Sequence, residues 1–98
     1  MDVEFEDDDL DRLEVDPRFD AGFQPGVVKG FRKAMQAIRA AVDERDIYAS
    51  RGLRLEKLVG NRQGQHSLRC NDKYRLIVRF EGKGNNKKVH VIEIVDYH

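Results

Sequence analysis

The chain has 98 residues, 40% hydrophobic and 37% charged, with no tryptophan and a formal net charge of zero. That length suits one compact domain with a modest core. No apolar run approaches the roughly 20 residues of a membrane span, the acidic N-terminus lacks the apolar stretch of a signal peptide, and the lone Cys70 has no intrachain disulfide partner; no membrane partner is expected, and the expected location is cytoplasmic.

Val3-Glu4-Phe5 reads as a short strand. The Asp7-Asp8-Asp9 run that follows suits a helix start, where carboxylates accept from free N–H groups and complement the helix dipole. Leu10, Leu13 and Val15 give that helix an apolar edge, and Pro17 ends it. Arg18 to Gly26 is a loop carrying Phe19 and Phe23. The strongest helix is predicted over 27–44, with Val28, Phe31, Met35, Ile38 and Val42 on one face. Gly30 inside it points to a close contact with another helix.

From Gly52 the period changes. Residues 53–58 alternate at first and predict a strand. Gly60 to Gly64 is turn chemistry. Gln65 to Cys70 alternates, with His66, Leu68 and Cys70 on one side. Asn71-Asp72-Lys73 is a tight turn. Tyr74 to Phe80 is the clearest strand, with Tyr74, Leu76, Val78 and Phe80 inward and Arg75, Ile77 and Arg79 on the opposite, outward face. Gly82 to Asn86 is a hairpin loop, and Val89 to Val95 is the last strand. The expected fold is α+β, a single domain over 1–98. Two N-terminal helices pack on an antiparallel sheet of about four strands.

The zero net charge hides an asymmetry. Residues 1–20 hold ten acids and two bases, net −8, and residues 21–98 hold sixteen bases and eight acids, net +8. Eleven of those bases lie within 51–90, against only Glu56, Asp72 and Glu81. A basic block of this kind points to a polyanionic partner. Arg69, Arg75 and Arg79 on an open sheet face would make a phosphate-binding surface.

The last strand runs into Asp96-Tyr97-His98, which brings carboxylate, phenol and imidazole together. These groups move or orient protons near neutral pH. Alone, such a triplet is more often a solvated end than a catalytic one. Beside arginines it suits ribonucleolytic cleavage, with a base on the ribose 2′-hydroxyl, a guanidinium on the phosphate and an acid on the leaving 5′-oxygen. If the product ends at His98, Asp96 and the α-carboxylate would raise its pKa and favour the acid role.

The segment from Arg54 to Leu76 (RLEKLVGNRQGQHSLRCNDKYRL), together with the ending Val95-Asp96-Tyr97-His98, resembles the HigB-type toxins of the RelE superfamily. The resemblance implies a ribosome-dependent mRNA endoribonuclease that cuts A-site codons and arrests translation. It implies neutralisation by a HigA-type helix-turn-helix antitoxin, with operator DNA bound through the antitoxin. It carries over Arg75, Asp96, Tyr97 and His98 as catalytic residues, with Lys57, Arg62, Arg69, Lys73 and Arg79 expected to bind RNA, and it implies no cofactor. The family often has a lysine where Val59 stands here, and Lys57, two residues earlier, could substitute in part from the same side of a regular strand.

Two rival readings accompany it. One is a catalytically weakened protein-binding module of the same fold. The other is a metal site using His66, Cys70, His90 and His98, which lacks any CxxC or HxxxH framework.

Overall fold

The computed structural model describes residues 1–96. The elements run β1 (Asp2–Phe5), α1 (Asp8–Val15), α2 (Pro25–Ala40), α3 (Glu44–Ala49), β2 (Glu56–Lys57), β3 (His66–Arg69), β4 (Tyr74–Glu81) and β5 (Lys88–Asp96). The sheet order is β1-β5-β4-β3-β2, with β1 parallel to β5 and the other pairs antiparallel. The expected α+β class is the observed one. It gains a short third helix, and the strand predicted at 3–5 joins the otherwise antiparallel sheet as a fifth member, parallel to β5.

Local chemistry accounts for the helix ends. Asp7 caps α1, its carboxylate accepting from the Asp9 N–H at 2.8 Å. Leu10 and Leu13 are buried three residues apart, whereas Val15 lies round the far side of the helix and is 72% exposed. Pro25 occupies the first turn of α2, where its missing N–H costs nothing. Val27, Val28, Phe31, Ala34, Met35 and Ile38 bury its inner face.

The predicted 27–44 helix ends early. Ala41 is extended, so Val42 leaves the apolar stripe and is exposed. Asp43 then caps α3 by accepting from the Arg45 N–H. Gly30 does mark a close approach, but to the end of β3 rather than to a helix: a Cβ there would overlap the Cys70 carbonyl.

The expected 53–58 strand is also shorter. Residues 51–53 form a 3-10 turn, and Arg54 adopts a left-handed conformation at φ 47°. This bend leaves only Glu56–Lys57 to pair with β3.

Helices cover one sheet face, where Leu68, Leu76, Val78, Val89 and Val91 are fully buried. The other face is not the open surface that the alternation predicts. Ser67, Arg75 and Ile77 on it are also buried, at 0%, 5% and 2% exposure.

Register explains how β5 serves both faces. Ile77 pairs with Glu93 but Val78 with Val91, so Ile92 is an extra residue, a β-bulge. The bulge shifts the parity of β5. Val89 and Val91 face the helices on one side of it, and Ile94 and Asp96 do so on the other, opposite Leu76 and Tyr74.

Candidate active site

Arg75 lies at the centre of the face away from the helices. Its neighbours in register are Arg69 on β3 and Val95 on β5. Its Nη2 donates to the Arg54 carbonyl at 2.5 Å and to the Ser67 Oγ at 2.9 Å. The left-handed turn at Arg54 aims that carbonyl inward. The Glu56 carboxylate, on the same face one strand beyond Ser67, stands 3.9 Å from Nη2. A buried guanidinium is costly unless it finds partners, and Nη2 finds them in the Arg54 turn, in Ser67 of β3 and, as an ion pair, in Glu56 of β2. The result is a fixed cation with a carboxylate beside it.

The other expected site residues fall in three places. Arg69 shares the Arg75 face and pairs with Asp72. Arg62 reaches from the connection before β3 to Glu93 of β5 at 3.1 Å and to the Gln65 Oε1 at 3.0 Å. Arg79 is on the same face but at the far end of β4, opposite His90, where Glu81 holds it at 2.9 Å and Glu6 lies at 3.8 Å.

Lys57 and Lys73 stand apart. Lys57 pairs with His66 at the sheet edge on the helix side, so it does not share a face with Glu56. Val59 lies past the end of β2 and is 83% exposed. Lys73, in the β3–β4 turn, contacts Asp96 at 3.5 Å and lies 5.9 Å from the Tyr74 ring.

Asp96 is on the strand next to Arg75, one register position away and on the opposite face, because the bulge sends it to the side of Tyr74. Tyr97 and His98 lie outside the described residues.

Sequence reasoning missed Glu56 and Ser67. Glu56 looked like one more charge in an alternating stretch, and Ser67 like a solvent-facing polar position. The signal for Glu56 was its place as one of only three acids among the eleven bases of residues 51–90.

The residues of the metal reading do not converge. His66 and Cys70 face the helices, while His90 sits on the other face among Glu4, Glu6 and Glu81. Among the described residues no group of three or more His, Cys, Asp or Glu could hold a metal ion. Burial pushes the Cys70 thiol up to about 12, only partly offset by the charge of Arg75. It behaves as a small core residue.

Helices on one side of a mostly antiparallel sheet are an arrangement this chain shares with a solved structure. The structure of a YoeB/ParE toxin from Agrobacterium tumefaciens matches it with a TM-score of 0.64, over 100% of both chains and at 21% identity. Residues 3–98 match the sequence model of the HigB-like toxins, described as the RelE-like toxin of the type II toxin-antitoxin system HigB. The chain belongs to that family, and a type II system implies an antitoxin partner. No curated protein matches the sequence. No helix among the described residues is long and apolar enough to cross a membrane.

Proposed function

We propose that this toxin is a ribosome-dependent mRNA endoribonuclease that cuts codons in the A site and arrests translation. A HigA-type helix-turn-helix antitoxin neutralises it and supplies the contacts to operator DNA. The observation that carries the reading is the buried Arg75 with Glu56 at 3.9 Å, on the strand beside β5, whose described residues end at Asp96.

The chemistry follows from those groups. Glu56 takes the proton of a ribose 2′-hydroxyl, and the 2′-oxygen attacks the adjacent phosphorus. The bond to the 5′-oxygen breaks, and His98 protonates that leaving oxygen. The products are a 2′,3′-cyclic phosphate and a 5′-hydroxyl. Arg75 stabilises the negative charge that grows on the phosphoryl oxygens. Being fixed before substrate arrives, and shielded from water, makes its charge more effective there. Asp96 orients His98 and favours its imidazolium form, and Tyr97 contacts a base or the backbone.

Arg62, Arg69, Lys73 and Arg79 bind flanking phosphates, with Lys57 at the sheet edge. Each of the first four is ion-paired on the surface. Such exposed pairs are worth only about 0–1 kcal/mol, so a phosphate can take over the cation at little cost.

Induced expression of the intact chain should stop growth, and His98→Ala should lift the arrest. Arrest that persists unchanged in that variant would remove His98 from the mechanism. Absence of arrest from the intact chain would favour the binding-module reading.

A further inference from the structure

A groove of about 720 Å³ lies between the N-terminal part of α2 and the loop that joins it to α1. Phe19, Phe23 and Val28 give it an apolar floor, and Arg18, Lys29 and Lys33 stand on its rim. It is part of the helix layer, so the sheet separates it from the face that carries Arg75 and Glu56.

Two features make it more than a surface dent. The first is that it is preformed. Arg32 donates from Nε to the Leu13 carbonyl at 3.0 Å, and from Nη2 to the carbonyls of Asp16 at 2.8 Å and Phe19 at 3.1 Å. One guanidinium therefore ties the loop down on α2. Asp20 accepts from the Gly22 N–H and fixes the turn that follows. A partner seated here would not have to order the loop first.

The second is charge. Most cations of the chain already have a carboxylate: Arg12, Arg39, Arg45, Arg62, Arg69 and Lys88 are among those in ion pairs. Among the described residues Arg18, Lys29, Arg32 and Lys33 are in no ion pair, nor are Arg51, Arg54, Lys57 and Lys83 elsewhere; the first four line one apolar groove whose only carboxylate is Asp20. A solvated face would scatter such charges. Here they surround a greasy floor and await acidic groups that the chain itself does not supply.

We infer that this groove binds an acidic segment of the antitoxin, which places one or two bulky apolar side chains on Phe19, Phe23 and Val28 and its carboxylates against Lys29, Lys33 and Arg18. The assignment of the partner rests on the toxin reading. A protein segment fits the floor better than an RNA strand does. The Arg12 guanidinium already covers one face of the Phe19 ring at 4.2 Å, and Phe23 stands edge-on to Tyr74 at 6.1 Å between centroids. Stacked bases need open ring faces, whereas aliphatic side chains pack on edges and partial faces.

The test uses the full chain and, as antitoxin, the small protein whose co-expression restores growth to cells expressing this toxin. Binding is measured for the unaltered toxin, for Lys29→Glu with Lys33→Glu, and for Lys83→Glu as a charge control in the distant hairpin loop. The paired reversal should weaken binding about 100-fold or more and flatten its salt dependence, with the melting temperature unchanged. Lys83→Glu should bind as the unaltered chain does. Equal affinity of the paired variant would overturn the inference. So would intact antitoxin binding with lost mRNA cleavage, which would give the groove to RNA. If the unaltered chain arrests no growth, the toxin reading fails and this proposal falls with it; arrest and rescue with unaltered affinity would sink the groove alone.

Discussion

Ser67 holds Arg75 from the neighbouring strand: its Oγ accepts from the guanidinium at 2.9 Å, and both side chains are buried on the face away from the helices. Removing the hydroxyl leaves a buried charged donor short of an acceptor, a loss of about 1–3 kcal/mol. Ser67→Ala should lower stability by that amount. It should also slow mRNA cleavage at temperatures where the variant is still folded, because Arg75 can then tilt off the phosphate. Ser67→Thr, which keeps the oxygen on a strand, should recover most of the rate. Cleavage by Ser67→Ala at the unaltered rate would show that Arg75 needs no such support.

Glu56 should behave as a base rather than only as a partner of Arg75. Glu56→Gln keeps shape and hydrogen bonding but cannot take a proton. General-base contributions are typically about 10²- to 10⁴-fold, so cleavage should fall within that range. Cleavage by Glu56→Gln at the unaltered rate would leave Glu56 no part as a base.

Gly30 should admit no side chain. A Cβ there would run into the Cys70 carbonyl, which is backbone and cannot swing aside. Overpacking of this kind costs about 1–3 kcal/mol or more. Gly30→Ala should therefore lower the denaturation midpoint clearly, while Gly26→Ala, in open space at the helix start, should change it little. Equal stability of the two variants would mean that α2 does not press on β3 here.

His66 makes part of the stability pH-dependent. Burial lowers its pKa from 6.5, the charge of Lys57 lowers it further, and Glu44 opposes weakly. The unfolded chain therefore takes up this proton at a higher pH than the native one. Above 6.5 both states are neutral here and the contribution is complete; as pH falls through 6.5 and then through the lower folded value, it is lost. Urea titrations should show stability falling from pH 7.5 to pH 5, with a shallower fall for His66→Gln. Parallel curves for the two proteins would remove His66 as a cause.

Much of the fold was legible in the sequence, and the reasons are specific. The 3–4 spacing in α2, the aspartates at the start of α1 and the turn residues around Gly60 and Gly82 are local signals, and each falls on its element, although α2 ends at Ala40. What stayed hidden was non-local. The bulge at Ile92 depends on how β5 must serve two faces, and it decides that Asp96 sits on the side of Tyr74 rather than of Arg75. Burial of Ser67 and Arg75 depends on the left-handed turn at Arg54, which no pattern of alternation reveals. The site was half legible for the same reason. Arg75 stood out by its family position, whereas Glu56 became a candidate only when folding brought its carboxylate to 3.9 Å from that guanidinium.

The central claim is that this chain cuts mRNA on the ribosome through the Glu56–Arg75 face. Primer extension on an mRNA added to a translating extract, with and without purified toxin, tests it most directly. Cuts are expected at codons occupying the A site, absent when the same RNA is incubated with toxin but no ribosomes, and absent with Arg75→Ala. Equal cutting of naked RNA, or full cutting by Arg75→Ala, would contradict it.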